Sequence, residues 1–288
     1  MVVSGKTKVY AVIGVPIEHS LSPAMQNAAF EVSKLDCVFL AFEVKSAEVG
    51  NAMSGMRALG IQGLNVTMPH KNAVISFLDE VDQTAKLLEA VNTIKNENGK
   101  LYGFNTDGVG ALAALRENGV EPKGKKVLLF GAGGAARAIA FALAREADEL
   151  SILNRTLKSA AELADLLKRE FNANVIAYTL SPLTVKANLA DADLLINATS
   201  VGMKPNAKQT LVASEWLKPE LAVMDIVYDP IETKLAKDAK AAGAKVVSGV
   251  EMLIYQGAAS FEIWTGCSAP VEVMRKAALN QLRKEQKS

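Results

Sequence analysis

The 288-residue chain is poor in several kinds of residue, and each scarcity narrows what it can be. His19 and His70 are its two histidines, Cys37 and Cys267 its two cysteines, and they form no cluster in the sequence. A structural zinc site therefore lacks a ligand set, and no metal is expected. With the cysteines far apart a disulfide framework is not expected either, and the chain reads as a protein of a reducing, cytoplasmic compartment. Formal net charge is only +1 and no basic block stands out, so nothing points to a nucleic-acid partner. Long uninterrupted apolar runs are missing too. The longest largely apolar stretch, 127–144, carries a glycine cluster and Arg137 near its middle, a charge that costs roughly 2.5–3.5 kcal/mol at the centre of a bilayer. A shorter run, 9–15, is cut by Pro16 and Glu18 without a small-residue cleavage pattern. Neither a membrane partner nor a targeting segment is expected, and no internal repeat or low-complexity tract stands out.

What the chain does have is apolar material. Half of its residues are hydrophobic, enough for sizeable cores, and its length suits one large or two ordinary domains. The stretch 126–155 organises the rest. An apolar run at 127–130 is short enough for a strand buried on both faces. Gly131, Ala132, Gly133, Gly134, Ala135 and Ala136 follow it, 137–145 recurs at helical spacing, and 151–153 is a second short strand ending on Asn154 and Arg155. Strand, glycine turn, helix and strand within about thirty residues are the context in which G-x-G-x-x-(G/A) reads as a dinucleotide-binding turn rather than a bare βαβ unit. Glycines let a pyrophosphate approach the backbone closely, and the helix N-terminus behind them offers N–H groups and partial positive charge. The end of the second strand selects the cofactor. NAD sites usually place Asp or Glu there for the ribose 2′-hydroxyl. Here Asn154, Arg155 and Thr156, with Lys158 beyond, offer no carboxylate to repel a 2′-phosphate and an arginine able to take it bidentately. The cofactor expected is NADP.

Ahead of that unit, 9–15 reads as a first strand, followed by Glu18-His19-Ser20-Leu21-Ser22-Pro23. Pro23 suits the first position of a helix and Ser22 the cap before it. Two serines flanking a helix start also make a neutral carboxylate-binding site, hydroxyl donors backed by the helix dipole. His19 reads as a surface or packing residue. A second strand is expected at 38–44 and an amphipathic helix at 47–59, ended by Gly60. Next, 63–71 runs from a short strand into a helix whose first turn is expected to hold Pro69 and Lys71. A lysine there faces an already positive helix end, which eases its use as a proton carrier. Ala90-Val91-Asn92-Thr93-Ile94 and Gly103-Phe104-Asn105-Thr106-Asp107-Gly108 then set amides and an acid beside strand-like residues, where a sheet edge opens onto a cleft. Asp107 can accept a proton or a hydroxyl hydrogen bond and can pair with Lys71. Asn105 and Thr106 equally suit turns and caps.

Past a helix at 109–118 and a polar linker at 119–125, the second half alternates strands and helices. Helices are expected at 159–171, 250–265 and 271–285, and strands at 194–200 (running into a polar loop), 222–227 and 244–247. The alternation predicts a doubly wound parallel sheet with ligands at its carboxyl edge. Asp225-Ile226-Val227-Tyr228-Asp229-Pro230 and Ser248-Gly249 lie at such an edge. The tail 284–288 is expected to fray.

Ser-Leu-Ser-Pro at 20–23, Asn-Val-Thr-Met-Pro-His-Lys at 65–71, Ala-Val-Asn-Thr at 90–93 and Asn-Thr-Asp-Gly at 105–108 occur in this order ahead of Gly-Ala-Gly-Gly-Ala-Ala at 131–136 and Asn-Arg-Thr at 154–156. Together they resemble the shikimate dehydrogenase family, from about residue 10 to residue 266, whereas unrelated dinucleotide enzymes share only the glycine turn. The resemblance implies an α/β fold: a three-layer αβα substrate-binding domain at 1–106 and 250–288, and a Rossmann-type doubly wound parallel-sheet NADP domain at 107–249. The active site would lie in the cleft between them. It implies reversible NADP-dependent reduction of 3-dehydroshikimate to shikimate, on the route to chorismate and the aromatic amino acids. By that resemblance Ser20 and Ser22 hold the substrate carboxylate, and Thr67, Asn92, Asp107, Tyr228 and Gln256 face its hydroxyls. Lys71 moves the proton at the reacting oxygen, assisted by Asp107, and Ile226 and Gly249 lie nearest the nicotinamide. Three positions depart from the pattern: Asp229 stands where Asn is more frequent, Ser159 where many members place a second arginine, and Glu89 where Gly is commoner. A quinate/shikimate dehydrogenase with broader substrate or NAD use is the nearest alternative. A non-catalytic NADP-binding sensor is the alternative from another class, and a homodimer is left open.

Overall fold

The computed structural model of the chain describes residues 3–285. They divide into two compact units, one taking the residues up to Asp107 and those from Ile254 on, the other Gly108–Leu253. In chain order the first comprises β1 (Lys8–Gly14), α1 (Ser22–Val32), β2 (Cys37–Glu43), α2 (Val49–Ala58), β3 (Gly63–Val66), β4 (Glu80–Val81), α3 (Gln83–Leu88), β5 (Thr93–Glu97) and β6 (Lys100–Phe104). A 3-10 turn at Ser46–Glu48 leads into α2, where one continuous helix was expected. The sheet order is β2-β1-β3-β5-β6-β4, and β5 alone runs against its neighbours. Asn98 and Gly99, both at positive φ (55° and 91°), make the two-residue turn that joins β5 to β6.

The second unit follows with α4 (Asp107–Glu117), β7 (Lys126–Phe130), α5 (Gly134–Leu143), β8 (Glu149–Asn154), α6 (Leu157–Phe171), β9 (Val175–Thr179) and α7 (Pro182–Asp191). It continues with β10 (Leu194–Asn197), β11 (Ala222–Asp225), α8 (Lys234–Ala241) and β12 (Lys245–Ser248). Its six strands are all parallel, in the order β12-β11-β10-β7-β8-β9. The chain starts at the centre on β7, winds out to β9, and returns through α7 to β10 on the other side of β7. The strand order thus reverses between β7 and β10, where open α/β sheets bind ligands. Leu128 and Phe130 of β7 pack with Val185 and Leu189 of α7 and Leu235 of α8. The alternate residues Val127 and Leu129 are equally buried on the opposite face, as a strand covered on both sides requires.

Two last helices, α9 (Gly249–Thr265) and α10 (Val271–Glu285), return the chain to the first unit. Alternation along β1 sorts the layers there. Ala11 and Ile13 pack on Val49, Met53 and Met56 on one face. Tyr10 points the other way, its ring 5.1 Å from Phe30 of α1 and 5.3 Å from Trp264 of α9. Helices therefore cover both faces, in three layers. The expected strand 222–227 stops at Asp225, because the Asp225 carboxylate itself accepts the Val227 N–H (3.2 Å) and ends the ladder. No expectation covered β4, β9, α3, α7 or α8. Of the tail expected to fray, residues up to Glu285 continue α10, and 286–288 lie outside the described residues. Among the described residues no helix is long and apolar enough to cross a membrane.

Candidate active site

Polar residues gather at one edge of the first sheet. The loops after β1 and β3 adjoin there, since Thr67 N donates to Ile13 O (3.0 Å) and Val15 N to Met68 O (3.2 Å). β5 starts and β6 ends at the same edge, with Asn92 N donating to Phe104 O (3.0 Å). At its centre stands Asp107, only 6% exposed. Its Oδ2 accepts from Lys71 Nζ (2.5 Å) and its Oδ1 from Asn92 Nδ2 (2.8 Å). Its backbone N–H donates to Asn105 Oδ1 (3.0 Å), and Asn105 Nδ2 donates to Ala90 O (2.9 Å), so a turn residue braces the acid. Asn92 Nδ2 also reaches Gln256 Oε1 of α9 (3.4 Å). Lys71, Asn92, Asp107 and Gln256, distant in sequence, thus form one hydrogen-bonded cluster. The Lys71 side chain keeps 22% of its surface accessible and an ammonium has three N–H donors. Such a pair can hold or pass a proton at an oxygen placed beside it.

The setting of Lys71 differs from the expected one. No α-helix begins at Pro69; turns lie at 68–69 and 71–72 and a 3-10 helix follows at Ala73–Phe77. The buried His70 ring explains the tight path, its Nε2–H donating to Val44 O (2.6 Å), while the Lys71 carbonyl accepts from Val91 N (2.8 Å). A helix end is therefore not what acts on the lysine; the Asp107 carboxylate is. Helix α1 also starts one residue earlier than expected, at Ser22 rather than after it. Leu21, buried and already helical (φ −81°, ψ −11°), takes the cap position, and Ser20 Oγ accepts the Ser22 N–H (3.3 Å). Ser22, buried, and Ser20 and Thr67, both half-buried, border the loops that meet at this edge.

In the second unit Gly131 turns the chain between β7 and α5 at φ +107°, and a Cβ on it would stand 2.8 Å from Ala198 O. Only glycine fits. Gly133 and Gly134 are different, since a Cβ on either would enter open space in front of α5. Packing does not demand glycine there, and the free space over the helix N–H groups suits a pyrophosphate. Ala132 and Ala135 are half-buried beside them. At the end of β8, Asn154 Nδ2 donates to Thr156 O (3.0 Å). Arg155 is exposed and has no ion pair among the described residues, and Lys158 meets Glu162 only at 3.9 Å. This donor set, with no carboxylate on Arg155, fits a 2′-phosphate. Ile226 and Gly249 follow the ends of β11 and β12, and Tyr228 sits half-buried in the loop after β11. Among the described residues no three His, Cys, Asp or Glu side chains group to hold a metal.

A buried layer behind Asn92 went unanticipated. Asn65 Nδ2 donates to Ser260 Oγ (3.0 Å), and the Ser260 and Thr93 hydroxyls are 2.8 Å apart. Thr93 Oγ1 and Thr106 N both donate to Asn92 Oδ1 (3.0 and 2.8 Å). With its oxygen so occupied, the Asn92 amide can only turn its Nδ2 toward Asp107. The signals were an asparagine inside the otherwise apolar strand β3 and a serine one helical turn beyond Gln256.

Known proteins match along both units. Residues 12–94 match the shikimate dehydrogenase substrate binding domain, 113–237 match shikimate / quinate 5-dehydrogenase, and 249–279 match the shikimate 5′-dehydrogenase C-terminal domain. The shikimate dehydrogenase (NADP(+)) of Methanopyrus kandleri is 51% identical over 284 residues, 98% of either chain. A crystal structure of a shikimate dehydrogenase in complex with NADP+ is 43% identical, covers 98% of both chains and superposes with a TM-score of 0.91. The shikimate 5-dehydrogenase of Listeria monocytogenes, in complex with shikimate and NAD, is 38% identical with a TM-score of 0.90, over 95% of this chain and 97% of that one. By motif order, sequence and fold, the chain belongs to the shikimate dehydrogenase family.

Proposed function

We propose that this chain is a shikimate dehydrogenase, reversibly reducing 3-dehydroshikimate to shikimate with NADPH on the cytoplasmic route to chorismate and the aromatic amino acids. The observation that carries the reading is the Lys71–Asp107 pair, 2.5 Å apart and locked by Asn92. In this reading residues 1–106 and 250–288 bind the substrate and 107–249 bind NADP. Ser20 and Ser22, at the start of α1, bind the substrate carboxylate with hydroxyl donors and the helix dipole. Thr67, Asn92, Tyr228 and Gln256 orient the hydroxyl-bearing face. Lys71 Nζ holds the proton delivered to the ketone oxygen on reduction and takes it from the hydroxyl on oxidation. Asp107, hydrogen-bonded to the amine, keeps it aimed. Gly131 to Ala135 receive the pyrophosphate, and Arg155, with Asn154, Thr156 and Lys158, the 2′-phosphate. Ile226 and Gly249 border the nicotinamide. NADP, when bound, supplies the hydride acceptor or donor, a chemistry that belongs to the cofactor.

Crossing shikimate and quinate with NADP and NAD in one initial-rate assay tests the proposal. Turnover is expected to be fastest with shikimate and NADP. Preference for quinate with NAD would move the assignment to the quinate branch, and NADP binding without turnover of either acid would leave a sensor.

A further inference from the structure

Asp225, the last residue of β11, is 2% exposed and pairs with no cation among the described residues. Its carboxylate instead accepts three hydrogen bonds. Oδ1 takes Asn197 Nδ2 (2.9 Å) and Val227 N (3.2 Å), and Oδ2 takes the Thr233 hydroxyl (2.7 Å). Burial pushes the carboxyl above the ordinary range, and these donors draw it partly back. Each donor comes from a different piece of the sheet's carboxyl edge. Asn197 ends β10, and its Oδ1 accepts from Thr199 N (3.2 Å) and Thr199 Oγ1 (2.7 Å), which ties in the loop after that strand. Thr233 caps α8, its hydroxyl accepting the Ala236 N–H (3.2 Å).

Val227 N and Thr233 Oγ1 bracket the segment that carries Tyr228, and both end on the one carboxylate. The segment is fastened again midway, where Lys204 N donates to Asp229 O (3.2 Å) and Lys204 Nζ pairs with Asp229 Oδ1 (2.8 Å). Gly249 rests on the same backbone, since a Cβ on it would stand 2.4 Å from Ile226 O and 2.8 Å from Asp225 O. An apolar residue at 225 would avoid the desolvation of a carboxylate, but it would release both ends of the segment and the loop after β10 together.

We propose that Asp225 is a positioning residue for the reaction, fixing 226–233 so that Tyr228 meets the substrate. The inference rests on the shikimate dehydrogenase reading, which gives Tyr228 that ligand. Asp225→Ala removes both ties to the carboxylate, Thr233→Val removes the far one, and Thr233→Ser keeps it. Each is compared in the full chain, alone and combined with Tyr228→Phe, by shikimate kinetics, NADPH titration and amide hydrogen exchange. Asp225→Ala and Thr233→Val are expected to speed exchange within 226–233 and to lower kcat/KM roughly 10- to 100-fold, as misplacement of a contact group does. NADPH affinity should change little, and Thr233→Ser should restore wild-type behaviour. On top of Tyr228→Phe the same substitutions should cost no more than about twofold, because the group they position is gone. If Asp225→Ala does not fold, the Thr233 pair carries the comparison. Unchanged exchange in Thr233→Val, or the full kinetic loss persisting beside Tyr228→Phe, would overturn the assignment. Wild-type protein inactive on shikimate would instead sink the functional reading, and the positioning role for that reaction with it.

Discussion

Lys71→Ala removes an ammonium 2.5 Å from Asp107 Oδ2 and leaves that carboxylate with Asn92 Nδ2 at 2.8 Å. Two consequences differ in size. Loss of a positioned proton carrier slows the chemical step roughly 10²–10⁴-fold, about 2.7–5.5 kcal/mol on the barrier. Loss of a hydrogen bond between charged groups costs about 1.5–3 kcal/mol of stability. The lower end applies, because the lysine side chain is 22% accessible and Asn92 stays. The glycine turn and Arg155, read here as the NADPH contacts, belong to the other unit, so NADPH affinity is expected to change far less than kcat. The assay follows NADPH absorbance for kcat and NADPH fluorescence for affinity. Lys71→Arg separates charge from proton transfer, since it keeps the cation but cannot give up its proton at neutral pH. It should be nearly as slow as Lys71→Ala. Comparable losses of kcat and NADPH affinity in Lys71→Ala, or near wild-type turnover in Lys71→Arg, would refute the proton-carrier role.

Arg155→Asp should weaken NADPH far more than NADH in equilibrium titrations, and equal loss would remove the phosphate contact from the account. Gly134→Val should leave the melting temperature nearly unchanged, because a Cβ there meets nothing, yet should weaken NADP binding. Gly131→Ala should destabilise the fold itself by about 1–3 kcal/mol, through the φ of +107° and the nearby carbonyl; the reverse ranking of these two glycines would count against the pyrophosphate turn. Hydrogen bonds from Leu101 N (2.7 Å) and Arg57 hold the Asp79 carboxyl below its ordinary range. A lowered folded value means that the contribution of Asp79 to stability is complete above its unfolded value, about 3.9. That contribution is then lost as pH falls through the folded one. Asp79→Asn should flatten the acid limb of the melting-temperature profile, and an unaltered limb would show that Asp79 has no part in it.

The βαβ core of the second unit could be read from the sequence because its strands are short, largely apolar and punctuated by glycine, so period and turn chemistry agree. The polar residues of the site were legible as types, and Asp107 as a partner for Lys71, since an acid and a base at loop ends invite pairing. Local structure around Lys71 was not legible. Pro69 suggests a helix start, whereas the anchoring of the His70 ring on Val44 O is a long-range contact that no local pattern announces. The β5–β6 hairpin carried its signal in Asn98-Gly99, but Asn96 is buried on β5 and breaks the apolar alternation that marks a strand. The buried layer of Asn65, Thr93 and Ser260 left only faint signals, because its members find their partners across strands and helices.

The most direct test of the central claim is to mix the purified chain with shikimate and NADP+ and to quantify NADPH and the ketone product together. One NADPH per 3-dehydroshikimate, with the same ratio consumed in reverse, is the predicted result. NADP+ that binds while neither NADPH nor ketone appears would contradict it.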